Sequence, residues 1–69
     1  MVWRQIAIDT WKALCEGYTA LVYYQGRSAY SMFRLSIRLG GLEVFHDNVD
    51  TVASGKRSAG RFFKREGII

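Results

Sequence analysis

Residues 2–18 read VWRQIAIDTWKALCEGY, and the way this stretch folds decides the architecture of the chain. Trp3, Ala7, Trp11, Leu14 and Tyr18 recur at helical spacing with Ile6 beside them, while Gln5, Asp9, Lys12 and Glu16 fall opposite. The pattern predicts an amphipathic helix that ends near Tyr18, with Gly17 as its stop. Ile8 and Cys15 lie at the margin of the apolar arc and make it wider than one packed face needs. Such width implies either a helix sunk deeply into the domain or a second surface that meets another chain. Deep burial is the preferred reading, because so small a core needs the area.

Downstream, TALVYYQG is rich in β-branched and aromatic residues and is followed by the turn signal QGRS. The cleanest strand pattern comes next. Phe33, Leu35, Ile37 and Leu39 alternate with Arg34, Ser36 and Arg38, so one face is buried and the other turns arginines to solvent. Gly40-Gly41 predicts a hairpin turn, and LEVFHDNVDTVA a third strand with a break near Asp47-Asn48. The segment SGKRSAGRFFKRE predicts a final helix. The expected fold is therefore α+β with the order α-β-β-β-α, a three-stranded antiparallel meander packed against two helices, in a single domain spanning residues 1–69.

Composition sets the class. Apolar residues make up 49% of the chain, including two Trp, four Tyr and four Phe, which is enough to build a core. No apolar run approaches membrane-spanning length, and the start lacks the plan of a signal peptide. A lone cysteine, Cys15, makes no internal disulfide, so a reducing, cytoplasmic setting is expected. The net charge of +4 is unevenly spread. Residues 27–41 carry Arg27, Arg34 and Arg38, residues 42–53 carry Glu43, Asp47 and Asp50, and the tail carries Lys56, Arg57, Arg61, Lys64 and Arg65 against Glu66. Clustered positive charge suits a polyanion such as nucleic acid.

The final helix holds the sharpest functional signal. Ser54 is its expected N-cap, and Gly67-Ile68 its C-terminal cap. Ala59, Phe62 and Phe63 fall on one side, with Arg57, Arg61, Lys64 and Arg65 on the other. With Ser54 as the cap, Lys56 and Arg57 occupy the first turn, where the helix dipole disfavours cations but open amides welcome an anion. Lys64 and Arg65, near the C-terminal end, are favourable without any ligand.

This order of elements, with a basic start to the last helix, resembles a double-stranded RNA-binding domain. Gly26 and Phe33 stand at that family's separation, Leu35, Ile37 and Leu39 continue its alternation, and Lys56-Arg57-Ser58-Ala59 is similar to its Lys-Lys-x-Ala segment. Arg27 and Ala29 replace the family's Pro and His, and Gly60 its third basic residue. The resemblance implies that Lys56 and Arg57 contact phosphates across a groove of A-form RNA. It also implies that the Gly26-Arg27 turn approaches a minor groove, and such recognition reads shape more than sequence. A second nucleic-acid reading uses the open sheet face, with Tyr23 or Tyr24 stacking beside the arginines.

No enzyme signature is found. His46, the single histidine, has no convergent metal ligands, and SGKRS departs from a phosphate-binding loop at Asp50 and Arg57. No metal or cofactor is expected. The function expected is a nucleic-acid-binding module, with duplex RNA favoured over DNA, acting through Lys56, Arg57, Arg61, Lys64 and Arg27. The alternative is a protein-interaction module docking on a larger assembly through Trp3, Ile8 and Trp11, and a homodimer built through the first helix is compatible with either.

Overall fold

Residues 2–18 are not a helix but two strands and the start of a third. The computed structural model describes residues 1–26 and 31–69. Five strands lie in sequence order in one antiparallel sheet: β1 (Trp3–Ala7), β2 (Thr10–Cys15), β3 (Tyr18–Tyr24), β4 (Phe33–Leu39) and β5 (Leu42–Val49). One helix among the described residues, α1 (Val52–Arg65), follows. The expected order α-β-β-β-α, with three strands and two helices, is thus replaced by five strands and one C-terminal helix.

The physical reason lies in the two faces of β1 and β2. Trp11 and Ala13 turn toward the helix side, paired with Val22 and Ala20, while Lys12 and Leu14 turn to the open side, paired with Leu21 and Thr19. Apolar residues therefore stand on both faces, which erases the simple alternation of a half-buried strand and leaves a pattern that also fits a helical wheel. The excess width of the apolar arc was the trace of this two-sidedness. Two tight turns divide the segment. Asp9 takes a positive φ of 58° between β1 and β2, and Glu16-Gly17 take 48° and 83° between β2 and β3, the conformation of a two-residue hairpin turn.

Further along, β3, β4 and the Gly40-Gly41 turn agree with expectation, whereas the break expected near Asp47-Asn48 is absent and Val52-Ala53 belong to the helix rather than to the strand. β3 and β4 pair in full register from Tyr18–Leu39 to Tyr24–Phe33, and Gly40-Gly41 makes the predicted turn. β5 runs unbroken through Asp47-Asn48, with a bulge opposite Ile37/Arg38.

The core lies between α1 and the middle of the sheet. Ala20, Val22, Leu35 and Ile37 meet Ala59, Phe62 and Phe63, all of them buried. Tyr18 sits edge-on to Phe62 and Phe63, with ring centres 6.2 and 5.7 Å apart. Close seating of the helix depends on Gly55, where a Cβ would lie 2.8 Å from Val22 Cγ2. A polar bond fastens the helix to β5, because the buried Ser58 hydroxyl donates to Asp47 Oδ2 at 2.7 Å.

Both ends of α1 are capped. Thr51, not Ser54, is the N-cap, and its Oγ1 accepts from the Ser54 amide at 3.0 Å. At the other end the Ile68 amide reaches the Phe63 carbonyl (2.8 Å) and the Gly67 amide that of Lys64 (3.1 Å), a Schellman closure with Gly67 at φ 73°.

Candidate functional site

The outer face of α1 gathers Arg57, Arg61, Lys64 and Arg65, all exposed. Positions 57, 61 and 65 are spaced one turn apart along a single stripe, with Lys64 beside it. The Arg57 guanidinium donates to Ser54 Oγ at 3.1 Å, and that of Arg65 lies 5.8 and 5.9 Å from the ring centres of Phe45 and Phe62. The side chains of Arg61 and Lys64 make no hydrogen bond or ion pair with any described residue, and with Arg65 they line a shallow depression. Like charges one turn apart cost about 0.2–0.5 kcal/mol per pair, and no carboxylate stands between these to offset it.

Moving the N-cap to Thr51 changes the meaning of Lys56 and Arg57. They are the fifth and sixth residues after the cap, beyond the first turn in which the dipole acts. The adverse electrostatics expected of them is therefore largely gone. Lys56 also has a partner in the fold. Its ammonium stands 4.0 Å from the ring centre of Trp11 and 6.0 Å from that of Trp3. Lys56 and Trp3/Trp11, candidates for two different surfaces on sequence grounds, thus meet in one cluster. Ile8 is not part of it; it caps the β1–β2 turn and is 88% exposed. Arg27 lies outside the described residues.

The opposite, open face of the sheet is also ordered. Arg34 pairs with Glu43 (2.9 Å), and the Ser36 hydroxyl donates to the other Glu43 oxygen. Arg38 donates to the Gly41 carbonyl. Two members of the acidic block are accordingly engaged inside the molecule, Glu43 here and Asp47 with Ser58. Tyr23 is on this face beside Arg34, whereas Tyr24 turns to the helix side, edge-on to Phe33. Sequence reasoning missed a groove of about 610 Å³ lined by Met1, Val2, Arg4, Ile6, Lys12 and Leu14. The signal for it was present as the alternation Arg4/Ile6 and Lys12/Leu14.

The Ser36 hydroxyl, and then the Arg34 charge, hold the Glu43 carboxyl below its ordinary value of 4.5, against the opposing effect of burial. A depressed folded-state pKa stabilises the fold above the unfolded value, and this contribution is lost as pH falls through the folded one. Ser36→Ala is expected to raise the Glu43 pKa toward 4.5, read by carboxyl NMR titration, and to reduce the acid-side loss of stability just below that pH. An unmoved Glu43 titration would count against the hydroxyl as the principal cause.

Among the described residues no three His, Cys, Asp or Glu side chains converge as a metal site, and no helix is long and apolar enough to cross a membrane. No protein-family model matches this chain, and neither does any curated protein or solved structure.

Proposed function

We propose that this chain is a small nucleic-acid-binding module that contacts phosphates through the outer face of α1, with Arg57, Arg61, Lys64 and Arg65 as principal groups and Lys56 adjoining them. The observation that supports this reading is the uncompensated charge of that face: four exposed cations within nine residues, none in an ion pair with a described residue. The helix dipole favours Lys64 and Arg65 at the C-terminal end, but no carboxylate offsets the mutual repulsion of the row, whereas a phosphate backbone neutralises it and releases its counterions. The preference for duplex RNA comes from a resemblance that combines α-β-β-β-α order with the Lys56-Arg57-Ser58-Ala59 start of the last helix. Without that order, RNA and DNA in duplex and single-stranded form are all ligands to test. The half-buried thiol of Cys15, at the end of β2, suits a reducing, cytoplasmic setting.

Binding measured by anisotropy should weaken steeply with salt, with a log–log slope of about −3 to −4 for four phosphate contacts. Combining Arg61→Ala with Lys64→Ala should reduce that slope by about 2 and weaken binding more than about tenfold at low salt. Thermal stability should hardly change, since both side chains are exposed and unpaired. Failure to bind any nucleic acid at low salt would sink the reading.

One feature favours a second reading, a protein-interaction module. In the open-face groove Arg4 stands directly opposite Lys12, a like-charge pair that an acidic partner would relieve, and Leu14 beside them is 67% exposed. Trp3 and Trp11 are on the other side of the sheet, so the partner surface would be Ile6 and Leu14 rather than the tryptophans. Binding to an acidic polypeptide that Leu14→Asp abolishes without unfolding the domain would favour this reading, whereas a solution mass of two chains is compatible with either.

A further inference from the structure

α1 packs on β3, β4 and β5, so β1 and β2 extend past the helix as a shelf. Trp3 and Trp11 lie on the helix side of that shelf, half-buried, at neighbouring positions set by the pairs Trp3–Ala13 and Gln5–Trp11. Both pack against the core cluster, and the Lys56 ammonium stands over the Trp11 ring. A filler of the shelf needs only apolar volume, which leucine supplies. Two indoles, a cation on one of them and the basic row of α1 adjoining make a different combination. Flat platforms beside cations are what single-stranded nucleic acids use, a base on the ring and phosphates on the charges.

We propose that Trp3 and Trp11 form a base-stacking platform that selects unpaired nucleotides, so that the ligand is single-stranded nucleic acid. This rests on the nucleic-acid reading above and narrows it. The base replaces the ammonium on the Trp11 indole, and Lys56 swings on its four-carbon stem to a neighbouring phosphate. Each group is better satisfied by the exchange. The indole gains a large flat contact, and the cation trades a ring face for a full negative charge. Bases within a duplex have both faces taken up in the stack and cannot join unless they are extruded. The open face competes poorly for this role, because Arg34, the cation beside Tyr23, is committed to Glu43.

The chain has two tryptophans, and both are on the platform, so intrinsic fluorescence reads the site directly. A single-stranded oligouridylate of about 12 nucleotides is expected to quench the emission and to bind about tenfold tighter than a duplex of equal length. Trp11→Leu should lose about tenfold in affinity for the single strand and leave duplex binding unchanged. Lys56→Met keeps the stem and both indoles. It should retain the quenching while the salt slope falls by about 1. Should Trp11→Leu fail to fold, as circular dichroism would show, the quenching and the single-strand preference of the unaltered chain still decide the matter. Equal affinity for single strand and duplex, or binding seen by anisotropy without quenching, overturns the platform and leaves the basic-face reading intact. No binding to any nucleic acid at low salt removes both.

Discussion

Replacing Phe63 with alanine is expected to destabilise the protein by about 3–5 kcal/mol, the range for emptying a fully buried aromatic site. Phe63 has no exposed surface, and its ring centre lies 5.7 Å from that of Tyr18 and 5.5 Å from that of Phe62. Among the described residues one helix covers this side of the sheet, and no second layer of them can collapse into the space. A domain of this size has a total stability of only about 3–10 kcal/mol, so the loss removes a large share of it. In urea the unfolding midpoint should fall to a small fraction of the original value, or the variant should be unfolded without denaturant. A loss below about 1 kcal/mol would mean that Phe63 is not the centre of the core.

The second large effect concerns a glycine. Gly55→Ala places a Cβ 2.8 and 2.9 Å from the two γ-carbons of Val22 and 3.3 Å from Val49 Cγ2. Val22 is fully buried and, being β-branched, has little rotamer freedom with which to withdraw. Either the helix lifts or the sheet yields, at a cost of about 1–3 kcal/mol. Helix propensity pulls the other way by about 1 kcal/mol, so the sign of the measured change shows which effect wins. We expect net destabilisation. Gly60 is the matched control, because a Cβ there meets nothing within 4 Å. Gly60→Ala should therefore stabilise by up to about 1 kcal/mol. If thermal unfolding showed both variants gaining equally, the close seating of α1 on β3 would be wrong.

Gly55 and Gly60 look alike in the sequence, and their difference shows where sequence reasoning stops. The middle of the chain was legible because Phe33 to Leu39 separates its apolar and polar residues by face, and Gly40-Gly41 has no competing reading. α1 was legible as well, since Ala59, Phe62 and Phe63 oppose the arginines and Gly67-Ile68 closes its end. Residues 2–18 were not. Ile6 and Leu14 are apolar on the open face, and Trp11 and Ala13 on the covered one, so spacing alone could not exclude a helix. Glu16-Gly17 between two strand-forming stretches is the available warning, since the same glycine serves a hairpin turn as well as a helix stop. At the site, the basic face could be read from α1 by itself. The meeting of Lys56 with Trp11 could not, because it depends jointly on the β1–β2 register, the length of β5 and the Thr51 cap.

The order of the elements along the chain has a consequence for synthesis. Every strand pairs with its neighbour in sequence, so a ribosome delivers the sheet as a series of hairpins, each able to close when its second strand emerges. The cover is made after all of them. Until the segment holding Ala59, Phe62 and Phe63 clears the exit tunnel, the apolar side of Val22, Leu35 and Ile37 has nothing to bury it. Folding of this domain is thus completed in one late step, once α1 has left the exit tunnel. During the preceding interval the nascent sheet is most exposed to mispairing and to capture by chaperones.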